Sequence, residues 1–144
     1  MREGGCLCGA VRFRTSGDMR GVVFCHCSQC RKQTGHIYAA TNAADAELEV
    51  DGADKLTWYA ASDAAKRGFC SVCGSILFWK RNGSDTTSIM AGSFDQPTAL
   101  KAEAHIFVAD KGDYYEINDG LPQYPHTGGL STLADNPRKR TDEP

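Results

Sequence analysis

The sequence predicts an all-β protein, and three observations carry that reading. Short runs rich in β-branched and aromatic residues recur along most of the chain, glycines and other turn residues punctuate them, and helical stretches are few and brief. In order, strands are expected at Val11 to Arg14, where apolar and charged residues alternate, and at Gly21 to Phe24, Ile37 to Thr41, Leu48 to Val50 and Leu56 to Tyr59. Further strands follow at Ile76 to Trp79, Thr87 to Ala91 and His105 to Val108. One short helix is expected over Ser28 to Thr34, opened by a Ser28 cap and closed by Gly35, with a further helical turn around Ser62 to Ala65. Beyond Pro125 the chain becomes polar and rich in Gly, Pro and charge. The expected organisation is therefore one domain over residues 1–125 and a polar, mobile tail over 126–144.

Charge and composition exclude whole classes of function. With 16 Lys and Arg against 18 Asp and Glu over 144 residues, the net charge is −2, so there is no broad basic field for a nucleic-acid backbone. Within the tail, Asp142 and Glu143 offset the Arg138 to Arg140 triplet. No apolar run approaches the ~18 residues of a membrane helix, so neither nucleic acid nor membrane is an expected partner. The first residues, Met1 to Cys6, carry no apolar stretch of the secretory type, and a reducing cytoplasm is the expected setting. Asn82-Gly83-Ser84 then reads as a turn and not as a glycosylation site.

Against that background the 7 cysteines stand out. An odd number cannot all pair, and clustered cysteines in a reducing compartment bind metal or do chemistry. They form three groups: Cys6-Leu7-Cys8, Cys25-His26-Cys27-Ser28-Gln29-Cys30, and Cys70-Ser71-Val72-Cys73. A structural zinc takes four thiolate or imidazole ligands, whereas a reactive zinc keeps three and leaves one position for water or substrate. The first and third groups together supply a closed set, and such an ion would tie the start of the fold to its middle. The second group, all within six residues, supplies an open one.

Local geometry suits this. CxxC followed by Gly74 folds into a turn that brings two sulfurs to one point, with its amides free to aim at them, and Gly74 can take the positive φ such a turn requires. In CxC the side chains share one face of an extended chain with Cα atoms about 7 Å apart, so a bend is needed before both sulfurs reach one ion. Gly4, Gly5 and Gly9 give the freedom to bend. Iron–sulfur ligation is the rival, although the trio lacks the regular spacing of ferredoxins. A redox pair at Cys27 and Cys30 would want a helix after a parallel strand, which an all-β pattern does not supply. His26 points to the opposite face from its cysteine neighbours in an extended segment, which favours packing or support of the site over ligation. His36, His105 and His126 stand alone as surface or core residues.

Three runs carry a family resemblance: Gly5-Cys6-Leu7-Cys8-Gly9-Ala10-Val11, Cys25-His26-Cys27-Ser28-Gln29-Cys30-Arg31-Lys32 and Gly68-Phe69-Cys70-Ser71-Val72-Cys73-Gly74-Ser75. In this order they resemble the glutathione-dependent formaldehyde-activating enzymes, a family that also includes centromere protein V. Ala91 to Asp95, His105 to Phe107 and Gly120 to Pro122 add weaker similarity, so the resemblance covers about Gly4 to Tyr124. It implies a zinc-stapled β-tent of several small twisted antiparallel sheets. By motif position it implies two zinc ions per chain. Cys6, Cys8, Cys70 and Cys73 would hold a structural one, and Cys25, Cys27 and Cys30 a catalytic one. The implied activity is condensation of formaldehyde with the glutathione thiol, formally a carbon–sulfur lyase reaction.

Three thiolates on one Zn²⁺ leave a position suited to a soft ligand such as a small thiol. Arg31 and Lys32 could meet a glutathione carboxylate or simply form a solvated helix face. Trp58, Tyr59, Phe78 and Trp79 could line a pocket or pack in the core. Two functional classes follow. One is a carbon–sulfur lyase acting on adducts of glutathione with formaldehyde or a related aldehyde. The other is a non-catalytic zinc-stapled scaffold for partner binding or metal or redox sensing.

Overall fold

A computed structural model describes residues 1–127. The polar tail expected over 126–144 lies, apart from His126 and Thr127, outside the described residues, as does the Arg138 to Arg140 triplet. The chain is mainly β, with strands β1 (Arg2–Gly5), β2 (Arg12–Thr15), β3 (Val22–Cys25), β4 (Tyr38–Ala44), β5 (Leu48–Asp51), β6 (Leu56–Tyr59), β7 (Ala65–Cys70), β8 (Ile76–Arg81), β9 (Thr86–Met90) and β10 (Ala102–Ile106), and helix α1 (Ser28–Thr34). It divides into two compact units, the first comprising Met1–Arg20 and Thr41–Ala99 and the second comprising Gly21–Ala40 with the chain from Leu100.

In the first unit β1, β2 and β5 form an antiparallel sheet, with Phe13 opposite both Gly4 and Val50. A second run of neighbours, β9-β8-β7-β6, pairs antiparallel from β8 to β6. In β2 the alternation expected from sequence buries Phe13 and Thr15 and turns Arg14 outward. In β8 the consecutive Leu77, Phe78 and Trp79 are all buried, as befits a strand covered on both faces. Phe13 meets Phe78 and Phe94 edge to face, with ring centroids 5.6 and 5.1 Å apart, which joins the two sheets' side chains into one core. Gly4 makes the closest approach. A Cβ built there would fall 2.3 Å from the Ser93 carbonyl oxygen and 2.6 Å from Phe13 Cζ. Gly4→Ala is therefore expected to cost about 1–3 kcal/mol through forced repacking, read as a lower denaturant midpoint.

In the second unit β3 lies between β10 and the first residues of β4. One pairing departs from the all-antiparallel expectation: β10 runs parallel to β3, setting His105 opposite Phe24 and Ile106 opposite Cys25. The connection between these strands spans residues 26–101, long enough for the crossover a parallel pair requires.

Two strands escape the sequence pattern. β1 reads Arg-Glu-Gly-Gly and β7 reads Ala-Lys-Arg-Gly-Phe-Cys, neither with β propensity, and each is made a strand by its partners. The helical turn expected around Ser62 to Ala65 is a bend. Ser62 Oγ accepts the N–H groups of Ala64 and Ala65 at 3.2 Å, after which the chain enters β7. Asn82 and Gly83 make the β8–β9 turn, as expected, closed by the Ser84 N–H on the Arg81 carbonyl at 3.1 Å.

Candidate metal centres

The sulfurs of Cys6, Cys8, Cys70 and Cys73 all lie within 4.8 Å of one another, and so do those of Cys25, Cys27 and Cys30. The two-plus-two and three grouping expected from sequence is thus the grouping that the fold assembles in space. All seven are free thiols. In the four-cysteine set Cys6 and Cys8 are separated by 3.6 Å and Cys8 and Cys70 by 3.8 Å. A tetrahedron with metal–sulfur bonds of ~2.3 Å has edges of about 3.8 Å, so these separations fit one shared ion, whereas a disulfide needs ~2.05 Å.

Two tight turns present the four sulfurs. At the first, Gly9 N–H bonds the Cys6 carbonyl at 3.2 Å and the amides of Val11 and Ala10 point at the sulfurs of Cys6 and Cys8 at 3.2 and 3.5 Å. At the second, Gly74, with φ of 79°, donates to the Cys70 carbonyl at 2.8 Å, and Val72 N–H points at Cys70 Sγ at 3.4 Å. Ser75 Oγ lies 3.2 Å from Cys73 Sγ and takes the Leu7 N–H at 2.9 Å, so one hydroxyl links the two turns. These contacts set the thiols apart. The Ser75 hydroxyl and amide pull Cys73 down to about 5, while at Cys8 the Ala10 amide, which lowers it, is outweighed by desolvation together with the neighbouring sulfurs, and the thiol is pushed up to about 11. Burial raises Cys6, but the Val11 amide and the Cys8 and Cys70 thiols outweigh it and leave it lowered.

The three-cysteine set straddles the end of β3 and the start of α1. The helix begins and ends where the sequence places it, but its cap is Cys27 in place of Ser28: Cys27 has extended backbone geometry and its Sγ accepts the Cys30 N–H at 3.2 Å. The capping atom is thereby also one of the three converging sulfurs. All three cysteines are buried, whereas Cys8 of the other set is exposed. The adjacent Cys27 and Cys30 push the Cys25 thiol well above its ordinary range, and burial adds to the effect.

His26 is fully buried and does not join the cysteines. Nδ1 is hydrogen-bonded to the Tyr115 hydroxyl, and Nε2 lies 2.8 Å from His105 Nδ1. With both ring nitrogens engaged it has none left for an ion, and burial, with His105 beside it, depresses its pKa to about 4. His105 is not the isolated residue expected from sequence. Its Nε2 meets Asp119 Oδ2 at 2.7 Å, and its ring stacks on Phe24 at 4.9 Å. Sequence reasoning missed Asp119, and Tyr115 as the partner of His26, because no local motif pairs these residues and they meet only through folding. His36 is exposed and bonded to the Tyr114 hydroxyl at 2.8 Å.

Arg31 and Lys32 divide in the same way. Lys32 is exposed, while Arg31 is half-buried and its Nε has no hydrogen-bond partner among the described residues. Of the aromatic candidates, Phe78 and Trp79 are core residues, whereas Trp58 is 37% exposed and lines a cleft of about 260 Å³ with Leu48, Val50, Leu56 and Phe78 in the first unit. Tyr59 is exposed.

The family model for the glutathione-dependent formaldehyde-activating enzyme matches residues 1–110. The chain belongs to this family. It is 34% identical over 125 residues to a Halomonas elongata protein named "Putative glutathione-dependent formaldehyde-activating enzyme", covering 80% of each chain. It is 29% identical over 116 residues to an "Uncharacterized lyase" of Schizosaccharomyces pombe, covering 80% of this chain and 84% of that one. A crystal structure of a Rhodobacter sphaeroides protein superposes with a TM-score of 0.54 at 25% identity, covering 85% of this chain and 98% of that one. Family membership and the names of these relatives support an enzymatic role for the chain. The cysteine runs that carried the resemblance are the residues that converge in both clusters. No helix among the described residues is long and apolar enough to cross a membrane.

Proposed function

We propose that the chain is a zinc-dependent carbon–sulfur lyase-like enzyme acting on the adduct of glutathione with formaldehyde or a related aldehyde. Cys25, Cys27 and Cys30 form the reactive site, and Cys6, Cys8, Cys70 and Cys73 the structural one. A reducing cytoplasm is the setting that suits free thiols at both sites. The single observation that carries this is the unequal count: four sulfurs converge in one set and three in the other, and no His, Asp or Glu among the described residues completes the second. Cys25, Cys27 and Cys30 would hold the zinc, which would there lower the pKa of an incoming thiol.

The balanced reaction joins the thiol sulfur to the aldehyde carbon and moves the thiol proton to the carbonyl oxygen, and the lyase direction reverses both. The protein's contribution is placement. The three buried sulfurs fix where the incoming thiol sits, and their burial keeps water from competing with it, so rate comes chiefly from orientation and local concentration. Arg31, one residue beyond Cys30, offers its unpartnered Nε to a glutathione carboxylate. Losing such a charge-assisted contact costs about 1.5–3 kcal/mol. Arg31→Gln is thus expected to raise the KM for glutathione roughly 10-fold or more with kcat little changed, the mark of an interaction made equally in ground and transition states.

The test is a purified-protein NMR screen of formaldehyde with several low-molecular-weight thiols, paired with cobalt substitution. Glutathione is expected to accelerate adduct exchange and to perturb the spectrum of one of two cobalt ions. The burial of all three sulfurs favours a second reading, a scaffold whose smaller site is sealed. A cobalt spectrum indifferent to saturating glutathione would establish that one.

A further inference from the structure

The reaction as described leaves unused a buried line of hydrogen bonds behind the three-cysteine site, Tyr115 to His26 to His105 to Asp119. The two imidazoles are 0% and 4% exposed, while the Asp119 side chain is 44% exposed. Its Oδ1 also takes the Leu121 N–H at 3.0 Å. One ordering of donors and acceptors satisfies every bond of the line, and it starts from the Asp119 end. An ionised carboxylate only accepts, so His105 Nε2 carries its proton and donates. The other nitrogen of that ring, Nδ1, must then accept from His26 Nε2–H. His26 Nδ1 is left as an acceptor, and the Tyr115 hydroxyl donates to it.

This line grips the chain at a telling place. His26 lies between Cys25 and Cys27, and neighbouring side chains of an extended segment point to opposite faces. A straight CxC segment sets its two cysteine Cα atoms about 7 Å apart, so the two side chains must lean toward each other for their sulfurs to lie within 4.8 Å. The rotation of this segment about its own axis decides whether both side chains face one point. The His26 N–H donates to the Ile106 carbonyl at 3.0 Å, and its ring is bonded at both nitrogens, so the segment cannot rotate about its own axis without breaking that line.

We propose that Tyr115, His26, His105 and Asp119 form a positioning strap that sets the geometry and metal retention of the three-cysteine site without joining its ligands. This rests on the reading that Cys25, Cys27 and Cys30 hold an ion. Asp119 is the handle for the test because it is solvent-accessible and its replacement opens no cavity. Protein loaded with two equivalents of cobalt is compared with Asp119→Leu, Asp119→Asn and Tyr115→Phe for release of each ion to a chelator, and the histidine tautomers are read by nitrogen-15 NMR. Supporting groups of this kind change metal affinity by about 10–100-fold. One ion of Asp119→Leu is expected to leave at least ~10-fold faster, with altered cobalt absorption, while the other leaves at the wild-type rate. Asp119→Asn should restore retention, since its amide oxygen still accepts from His105. Tyr115→Phe should loosen the same ion, and His26 should show the Nε2–H tautomer. Two bound ions with unchanged release in Asp119→Leu, no rescue by Asn, or a proton on His26 Nδ1 would overturn the strap while leaving the metal reading intact. Uptake of a single equivalent by the wild-type chain would overturn both.

Discussion

Cys73→Ser is expected to unfold the protein at physiological temperature or to lower its melting temperature by more than roughly 10 °C. The serine fits sterically and can still bond Ser75, so the loss is that of a thiolate from the four-sulfur set. A structural zinc contributes an apparent ~10–16 kcal/mol, comparable to the ~5–15 kcal/mol by which a whole domain is stable. Even a third of that lost, ~4 kcal/mol, moves the midpoint of a chain of this size by roughly 10–15 °C. The sulfurs come from turns far apart in the chain, with Cys8 and Cys70 62 positions from one another, so an ion held there would close a long loop and add to the Leu7–Ser75 hydrogen bond between the two turns. Circular-dichroism melts with metal analysis check this. A strong chelator should carry the wild-type protein to the same midpoint as the variant, and a variant that melts with the wild type would show that the first set staples nothing.

What the sequence disclosed, and what it hid, divides along one physical line. The cysteine groups were legible because metal ligation imposes short, fixed spacings and a ligand count, both readable without a fold. Most strands were legible because burial on one or both faces leaves a pattern, as in Phe13 between Arg12 and Arg14 or the Leu77-Phe78-Trp79 run. β7 was not, because its Lys66, Arg67 and Gly68 hold a strand only through pairing with β6 and β8, a tertiary effect. The parallel pairing of β10 with β3 was hidden for the same reason. That pairing is also what sets His105 opposite Phe24, one residue from Cys25, and so within reach of His26. The line from Tyr115 to Asp119 therefore could not be read from any local motif. Cys27 shows a subtler failure: a serine follows it and looks like the natural cap, yet the sulfur takes that role because it must turn toward Cys30 in any case.

That dual role makes Cys27→Ser the second decisive substitution. Serine is among the better N-cap residues, so its hydroxyl should take over the Cys30 N–H and the helix should keep its start, where alanine would cost about 1 kcal/mol. The melting temperature is accordingly expected to stay within a few degrees of wild type. The sulfur is a different matter. A hydroxyl is a hard, weakly acidic donor at neutral pH, and a site reduced from three thiolates to two cannot hold a soft ion against water. Bound metal should fall from two equivalents to one, and glutathione-dependent exchange of formaldehyde, followed by NMR, should fall to the uncatalysed rate. The pair of variants tests the division of labour between sites. Cys73→Ser loses the fold and with it everything else, whereas Cys27→Ser loses one ion and the reaction while the fold stands. Equal melting temperatures for the two, or a Cys27→Ser protein that retains turnover, would contradict the assignment of a staple to one set of sulfurs and a reactive vacancy to the other.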